Sequence, residues 1–373
     1  MICFLRCATV NEDVRLRKYI QACESRDLSF FALTWNRLNV PYKEAYEIQF
    51  DRNAPYGLRW KNLWNKVLWQ IYILKYLIKK RCDYTVIHAT NFENILPALL
   101  MKFFLNKKVV YDIYDSFSSD LSDNFLTRFL IKLEVFCIRK SDLLILADKK
   151  RLQQISITET TCKQFLDIEN VPNFKQSVYT KNTLDFNKIK LSYVGVFDPM
   201  RGLEELLNFV EKNDSFILEI AGGGTLNNIV KYKSDTTSRI IYHGVVKYED
   251  GINIMQKSDF IIGMYYKQAS NHVYAAPNKF FESLYLARPL ITTQGTLVGE
   301  KTNFHETGYA IEEGYDEITN FFTGFIQNKD KSLRSYKRKI ENAANLWNSE
   351  YANYFEKRLV QDYINIILSL NDK

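Results

Sequence analysis

At 373 residues the chain exceeds what one hydrophobic core usually serves, so two domains of roughly 150 to 200 residues each are expected. Hydrophobic residues make up 46% and charged residues 25%, a globular balance that excludes long disorder, and no Ser/Pro/Gly-rich linker or low-complexity block appears. The net charge of +7 is modest for this length and its lysines and arginines are interspersed with acids, which argues against nucleic acid as a partner.

Short apolar, β-rich runs alternate with longer helical patterns along the whole chain, the pattern of parallel strands joined by crossover helices. The first run, Met1 to Arg6, is broken by arginine and does not resemble a secretory leader. Ile2 to Arg6, Ser29 to Leu33, Tyr84 to His88, Lys108 to Asp112 and Leu143 to Leu146 are the five expected strands of one doubly wound domain. Between them, Arg59 to Arg81 combines Trp60, Trp64, Trp69, Tyr72 and Tyr76 with several lysines. Such a helix fits an anionic membrane surface. It also fits a core helix with a basic outer face, and this is the expectation, because the segment leads straight into the Tyr84 strand. Its most apolar stretch, Val67 to Ile78, contains Gln70 and Lys75 and is too short to span a bilayer. The six cysteines all lie in the first half without metal-site spacing, and are expected to be reduced thiols of a cytoplasmic protein.

A join is expected after Val171-Pro172-Asn173-Phe174, where the pattern turns polar, giving a first domain of residues 1–175. The second half repeats the alternation, with strands at Lys190 to Val194, Phe216 to Ile220, Ile240 to Tyr242, Phe260 to Met264, Leu290 to Thr293 and Tyr309 to Ile311. Gly222-Gly223-Gly224 follows one of these strands, either as a plain tight turn or as backbone lying close to a ligand. A second doubly wound domain over 176–345 follows, and then a helix over 346–373, whose aromatic spacing permits a return onto the first domain. The fold class is α/β, with two Rossmann-like domains facing each other across a cleft.

Ala276-Pro277-Asn278-Lys279-Phe280-Phe281-Glu282, followed by Pro289-Leu290-Ile291-Thr292-Thr293, is the most informative stretch. A proline in the first turn of a helix leaves that turn's N–H groups facing an anion, and Lys279 adds a positive charge beside them. Three residues on, Glu282 shares the helical face of Lys279, where its carboxylate accepts hydrogen bonds from a ribose diol. An exposed Lys-Glu pair on an ordinary helix is the alternative. The strand that follows favours the ligand site, because it sets this helix in a strand-helix-strand unit.

These residues resemble the retaining, nucleotide-sugar-dependent glycosyltransferases of the GT-B fold, family 4 (group 1). The likeness is strongest from Leu191 to Thr296. Ser192-Tyr193-Val194-Gly195 through Arg201-Gly202-Leu203 is similar to the family's strand, glycine turn and basic residue, so the resemblance makes Arg201 the donor-phosphate cation and Gly195 part of its cradle. Ile220-Ala221-Gly222-Gly223-Gly224 resembles the next strand and glycine turn, and Pro277, Asn278, Lys279 and Glu282 the donor signature. On the acceptor side, Asp83 to Ala89, with His88, and Val109 to Asp115, with Tyr114, are similar to two strand ends that line the acceptor, and Asn11-Glu12-Asp13-Val14-Arg15 resembles the family's early Asp-x-Arg segment. The departures are specific. Tyr274 stands where many members carry a first glutamate, Val196 where many carry arginine and Tyr114 where histidine is common, and the glycine-rich loop after the first strand is missing around Cys7-Ala8-Thr9-Val10.

The resemblance implies an enzyme that moves a sugar from a nucleotide diphosphate to a glycan acceptor, on a lipid carrier at the cytosolic membrane face, in surface-polysaccharide assembly. Glu282, Arg201, Lys279 and Asp115 would be its catalytic residues, with no metal or other cofactor, since two cations and a helix terminus neutralise the leaving diphosphate. Asp115 equally fits a capping role after Tyr114, and His88 a packing role at its strand end. Two other functions remain open: a degenerate nucleotide-sugar-binding subunit, and an enzyme with a small soluble acceptor. A dehydrogenase is disfavoured, because the first strand lacks a glycine-rich dinucleotide turn.

Overall fold

A computed structural model describes residues 1–54, 62–115, 125–178 and 184–371. The chain divides into two compact units, Met1–Glu169 with Tyr354–Lys373, and Asn170–Asn353. The division falls a little before the expected boundary at 175, and the returning segment starts at Tyr354 rather than at 346.

The first unit is built on a parallel seven-stranded sheet of β1 (Ile2–Arg6), β2 (Phe30–Asn36), β3 (Glu47–Asp51), β4 (Val86–Thr90), β5 (Lys108–Ile113), β6 (Leu143–Leu146) and β7 (Phe165–Asp167), in the order β3-β2-β1-β4-β5-β6-β7. All five expected strands are present, with β2 running three residues further and β4 starting at Val86. The two edge strands were not legible. Edge strands are short and need only one apolar side, and Glu-Ile-Gln-Phe-Asp and Phe-Leu-Asp carry little apolar run to read.

Helix α1 (Val14–Glu24) starts at Asp13, whose carboxylate accepts the Leu16 N–H at 2.9 Å. Helices α2 (Leu63–Lys79), α3 (Phe92–Leu105) and α4 (Phe125–Lys140) join β3 to β4, β4 to β5 and β5 to β6. The right-handed crossover rule puts all three on one face of the sheet, and α2 touches α3 as α3 touches α4. Trp69, Ile73 and Leu77 form the inner face of α2, each stabilising the fold by about 1.5–3 kcal/mol through burial. The Trp69 indole donates to Asn94 of α3 at 2.9 Å. The outer face of α2 differs from the basic face expected: besides Lys75 and Lys79 it exposes Leu63, Trp64, Val67, Ile71 and Ile78. Arg59, Trp60 and Lys61 lie outside the described residues. Among the described residues no helix is long and apolar enough to cross a membrane.

The second unit carries a parallel six-stranded sheet of β8 (Ile189–Phe197), β9 (Phe216–Gly224), β10 (Ile240–Tyr242), β11 (Phe260–Gly263), β12 (Leu290–Thr293) and β13 (Gly308–Ile311), in the order β10-β9-β8-β11-β12-β13. Helices α5 (Leu203–Lys212), α6 (Asn227–Thr236), α7 (Tyr248–Gln256) and α8 (Asn278–Leu286) connect them. Phe209, Phe216, Phe260 and Phe322 pack edge-on and face-on in the core beneath. Gly222-Gly223-Gly224 is not a turn but the end of β9, in register with Gly195-Val196-Phe197 of β8. The region from Lys329 to Leu346 is α-helical, and Trp347–Tyr351 and Phe355–Tyr363 continue in wider turns, such as the Ala352 N–H donating to the Trp347 carbonyl at 2.8 Å.

Candidate functional site

Strand order in the second unit reverses between β8 and β11, the topological point at which open parallel sheets take ligands. There the carboxyl ends of the strands, the first turn of α8 and the start of α7 enclose a cavity of about 570 Å³, a size that suits a nucleotide-scale ligand. Gly195, Val196, Arg201, Gly222, Gly223, Asn278, Lys279 and Glu282 all line it. Seven of the residues singled out in the sequence thus meet at one place: Gly195, Arg201, Gly222, Gly223, Asn278, Lys279 and Glu282.

The glycines are required by close approach. Gly222 has φ +139°, and a Cβ there would lie 1.8 Å from the Gly195 carbonyl oxygen, so no other residue fits without moving β8 against β9. On Gly195 a Cβ would stand 3.2 Å from the Lys279 Nζ, and on Gly263 it would stand 3.1 Å from the Lys279 Cδ. The missing side chains on β8 and β11 leave the channel along which Lys279 reaches the cavity.

Arg201 is presented by a turn that its neighbours dictate. Asp198 accepts the Met200 N–H at 2.8 Å, Pro199 opens a single 3-10 turn, and Gly202 closes it with φ +62°. The half-buried guanidinium then lies over the ring of Tyr265, 4.3 Å from its centroid.

Helix α8 begins one residue later than expected. Pro277 is its cap (φ −77°, ψ 150°) rather than a residue of its first turn, and it does not line the cavity. The Phe280 N–H turns back to the Pro277 carbonyl at 3.3 Å, so Asn278 and Lys279 lead the helix into the cavity with its positive dipole end. Burial pulls the Lys279 ammonium down to about 8, Glu282 opposing the shift and Arg201 adding to it. Burial likewise pushes the Glu282 carboxyl up, against the Lys279 charge and a hydrogen bond from the Tyr248 hydroxyl. Two cations and one carboxylate therefore share a poorly hydrated space, and an arriving anion relieves their mutual repulsion.

Tyr248, Tyr265 and Tyr193, over whose ring the Lys279 Nζ stands at 5.2 Å, were not found from sequence. The Met264-Tyr265-Tyr266 run at a strand's carboxyl end was the one available signal.

The residues expected on the acceptor side belong to the first unit. His88 lies in the middle of β4, fully buried, with Nδ1 2.8 Å from the Tyr363 hydroxyl and Nε2 3.5 Å from Asp112. Its ring packs on Phe4, Tyr19 and Tyr363, the packing role rather than an exposed one. Tyr114 is half-buried beneath the guanidinium groups of Arg6 and Arg15, 4.4 and 5.0 Å from its ring centroid. Asp115 is exposed, its N–H donating to Asn91 at 3.4 Å. The early Asp-x-Arg segment is structural: Asp13 pairs with Arg6 at 2.5 Å, and Arg15 forks onto Asp112 at 3.0 and 3.2 Å.

No protein-family model and no curated protein sequence matches the chain. Solved structures do. Sucrose-phosphate synthase from Thermosynechococcus elongatus aligns at 13% identity and TM-score 0.71, with 99% of each chain covered. HepE from Anabaena, in complex with UDP, aligns at 14% identity and TM-score 0.65, and the lipopolysaccharide outer core galactosyltransferase WaaB in its apo form at 13% and 0.64, again over 99% of each chain. At such identities the likeness is one of fold: this chain has the two-domain α/β architecture known as GT-B.

Proposed function

We propose that the protein is a glycosyltransferase that moves a sugar from a nucleotide diphosphate to a glycan acceptor. The observation that carries this reading is the convergence of Lys279, Arg201 and the leading turn of α8 on a cavity that also holds the buried carboxylate of Glu282. HepE, of the same fold, is seen with UDP, which supports a nucleoside diphosphate as the ligand.

In this reading the bond between the sugar's anomeric carbon and the diphosphate oxygen breaks, and the charge left on the diphosphate falls to Lys279, Arg201 and the N–H groups of α8. Their positive charge does the work for which other sites use a metal. Glu282 accepts hydrogen bonds from the ribose hydroxyls. The leaving phosphate oxygen takes the acceptor's proton as the new bond forms on the same face of the sugar, so configuration is retained without a dedicated base. Asp115, exposed at the carboxyl end of β5, is the acceptor-side carboxylate of the proposal. The acceptor is a lipid-linked glycan in surface-polysaccharide assembly, and the enzyme works in the cytoplasm.

Thermal stabilisation by a panel of UDP-, GDP-, ADP- and TDP-sugars, compared between wild type and Glu282→Ala, tests the site. A donor at about 100 times its dissociation constant adds roughly 2.7 kcal/mol of stability. One nucleotide class is expected to stabilise the wild type and to lose its effect in the variant. No shift with any nucleotide overturns the reading. Binding without transfer or hydrolysis would instead identify a nucleotide-sugar-binding subunit, and turnover of a free sugar acceptor would remove the lipid carrier.

A further inference from the structure

The helical layer α2–α4 of the first unit is apolar on both sides. Inward, its side chains form the core already described. Outward, α2 exposes Trp64, Val67 and Ile71 at spacings of three and four, which is one helix face. Its neighbour α3 does the same with Leu96, Leu100, Phe103 and Phe104, the last of them 77% exposed. On α4, Phe125, Phe129 and Phe136 follow suit, Phe125 at 88% exposure. Three adjacent helices thus set three apolar stripes side by side. Single exposed apolar residues are ordinary, but a contiguous face beyond a few hundred Å² marks a contact with something else.

Charge decides what that contact is. These three helices contain eight lysines and arginines against two glutamates, one of which, Glu134, is buried. Eight minus two leaves a surplus of six, nearly the whole net charge of +7, on helices that otherwise display Trp, Phe, Leu and Ile. Lys75, Lys79, Arg128, Lys132, Arg139 and Lys140 are exposed among or beside the stripes. A second copy docking face to face would set one cationic surplus against another. A nucleic acid would gain nothing from the aromatic and aliphatic side chains.

We propose that the α2–α4 face rests on an anionic lipid bilayer. Its aromatic and aliphatic side chains enter the headgroup region, and the lysines and arginines reach lipid phosphates along their alkyl stems. The contact is peripheral and does not depend on what the cavity of the second unit binds, so it stands or falls separately from the proposed transferase activity.

The test is sedimentation of the full chain, without nucleotide, with phosphatidylcholine vesicles containing about one-third phosphatidylglycerol and with phosphatidylcholine alone. The wild type is expected to pellet with the anionic vesicles, less so as salt rises, and to stay largely in the supernatant with neutral ones. The double substitution Phe103→Ser with Phe104→Ser is expected to weaken binding by about 10-fold or more, and Phe103→Leu with Phe104→Leu to restore most of it, with the melting temperature unchanged in both. Absence of wild-type binding to anionic vesicles overturns the proposal. So does undiminished binding by the serine variant, or a wild-type dimer in solution that this variant dissociates, which would make the face a protein interface.

Discussion

The two sheets end differently at their carboxyl edges. In the first unit the carboxylate at that edge is surrounded by partners: Asp112, at the end of β5, receives the Arg15 fork, the Tyr19 hydroxyl at 2.7 Å and the His88 ring, whose other nitrogen faces the Tyr363 hydroxyl. Beside them, burial and the Arg15 charge hold the Lys18 ammonium down to about 7. In the second, glycines take the place of such side chains, and Lys279 and Arg201 stand beside a cavity with one shared carboxylate, Glu282. The same topology has produced a buried carboxylate surrounded by the chain's own donors in one place and a cavity lined by two cations in the other. The second presents its charges to a cavity of about 570 Å³, which is why the binding reading rests there and not on His88.

The largest effect expected from this contrast is at Asp112. Burial acts to raise its pKa, but Arg15 and His88 outweigh that and hold it down to about 2. Asp112→Ala leaves Arg15 buried without its carboxylate and is expected to cost about 3–5 kcal/mol in denaturant unfolding, without altering the nucleotide affinity of the folded protein. The pH dependence has a definite sign. Because the folded pKa is depressed, the stabilisation is full above the ordinary carboxylate range and disappears as pH falls through about 2. A loss below about 1 kcal/mol would mean that Asp112 is not held by these partners as described.

Lys279→Met should do the reverse. Nucleotide-diphosphate affinity is expected to fall on the order of 100-fold, the scale of a hydrogen bond to a charged group, while unfolding stability stays level or rises. Burial and Arg201 both disfavour the ammonium, so the folded protein releases its proton near pH 8 while the unfolded chain keeps it to higher pH. In that window the unfolded state binds more protons, and wild-type stability therefore increases with pH there. Donor affinity runs the other way: level between the acid limb set by Glu282 and about pH 8, then weakening by up to tenfold per pH unit, because the diphosphate binds the charged form of Lys279. Calorimetric titration of both proteins checks this. If the alkaline limb survives in Lys279→Met, another group owns it.

What was legible in the sequence follows from how far apart the interacting residues lie. Continuous runs such as Leu143–Leu146 and Leu290–Thr293 announced buried parallel strands, and Lys279 and Glu282 announced a site because one helix carries both. Arg201 was legible only through the resemblance of Ser192 to Leu203 to the family's strand, glycine turn and basic residue; the turn that presents it came with the structure. The role of His88 was not, since the Tyr363 hydroxyl that closes on it lies 275 residues away. For Gly222-Gly223-Gly224 the sequence left a tight turn and backbone close to a ligand both open, because nothing local shows that β8 keeps pairing alongside to Phe197. For α2 the apolar pattern told of a buried inner face, and the apolar outer face became visible only with α3 and α4 beside it.

The smallest expected effect concerns Tyr248, which no local pattern linked to Glu282. Its ring stacks on Phe174, centroids 6.2 Å apart and planes 10° from parallel, so Tyr248→Phe should keep its place and lose only the hydroxyl. That hydroxyl favours the charged form of a carboxyl whose pKa burial has already raised. Its removal raises the Glu282 pKa further, and the acid limb of nucleotide binding moves to higher pH. A carboxylate offers about four lone-pair positions, enough for the tyrosine and a ribose diol together, so the two need not compete. The variant is therefore expected to bind more weakly, by up to about 1 kcal/mol at neutral pH, and by more as the solution is acidified. Tighter binding would show instead that the hydroxyl occupies the place of the ribose, and that a nucleotide must displace Tyr248 before Glu282 can hold it.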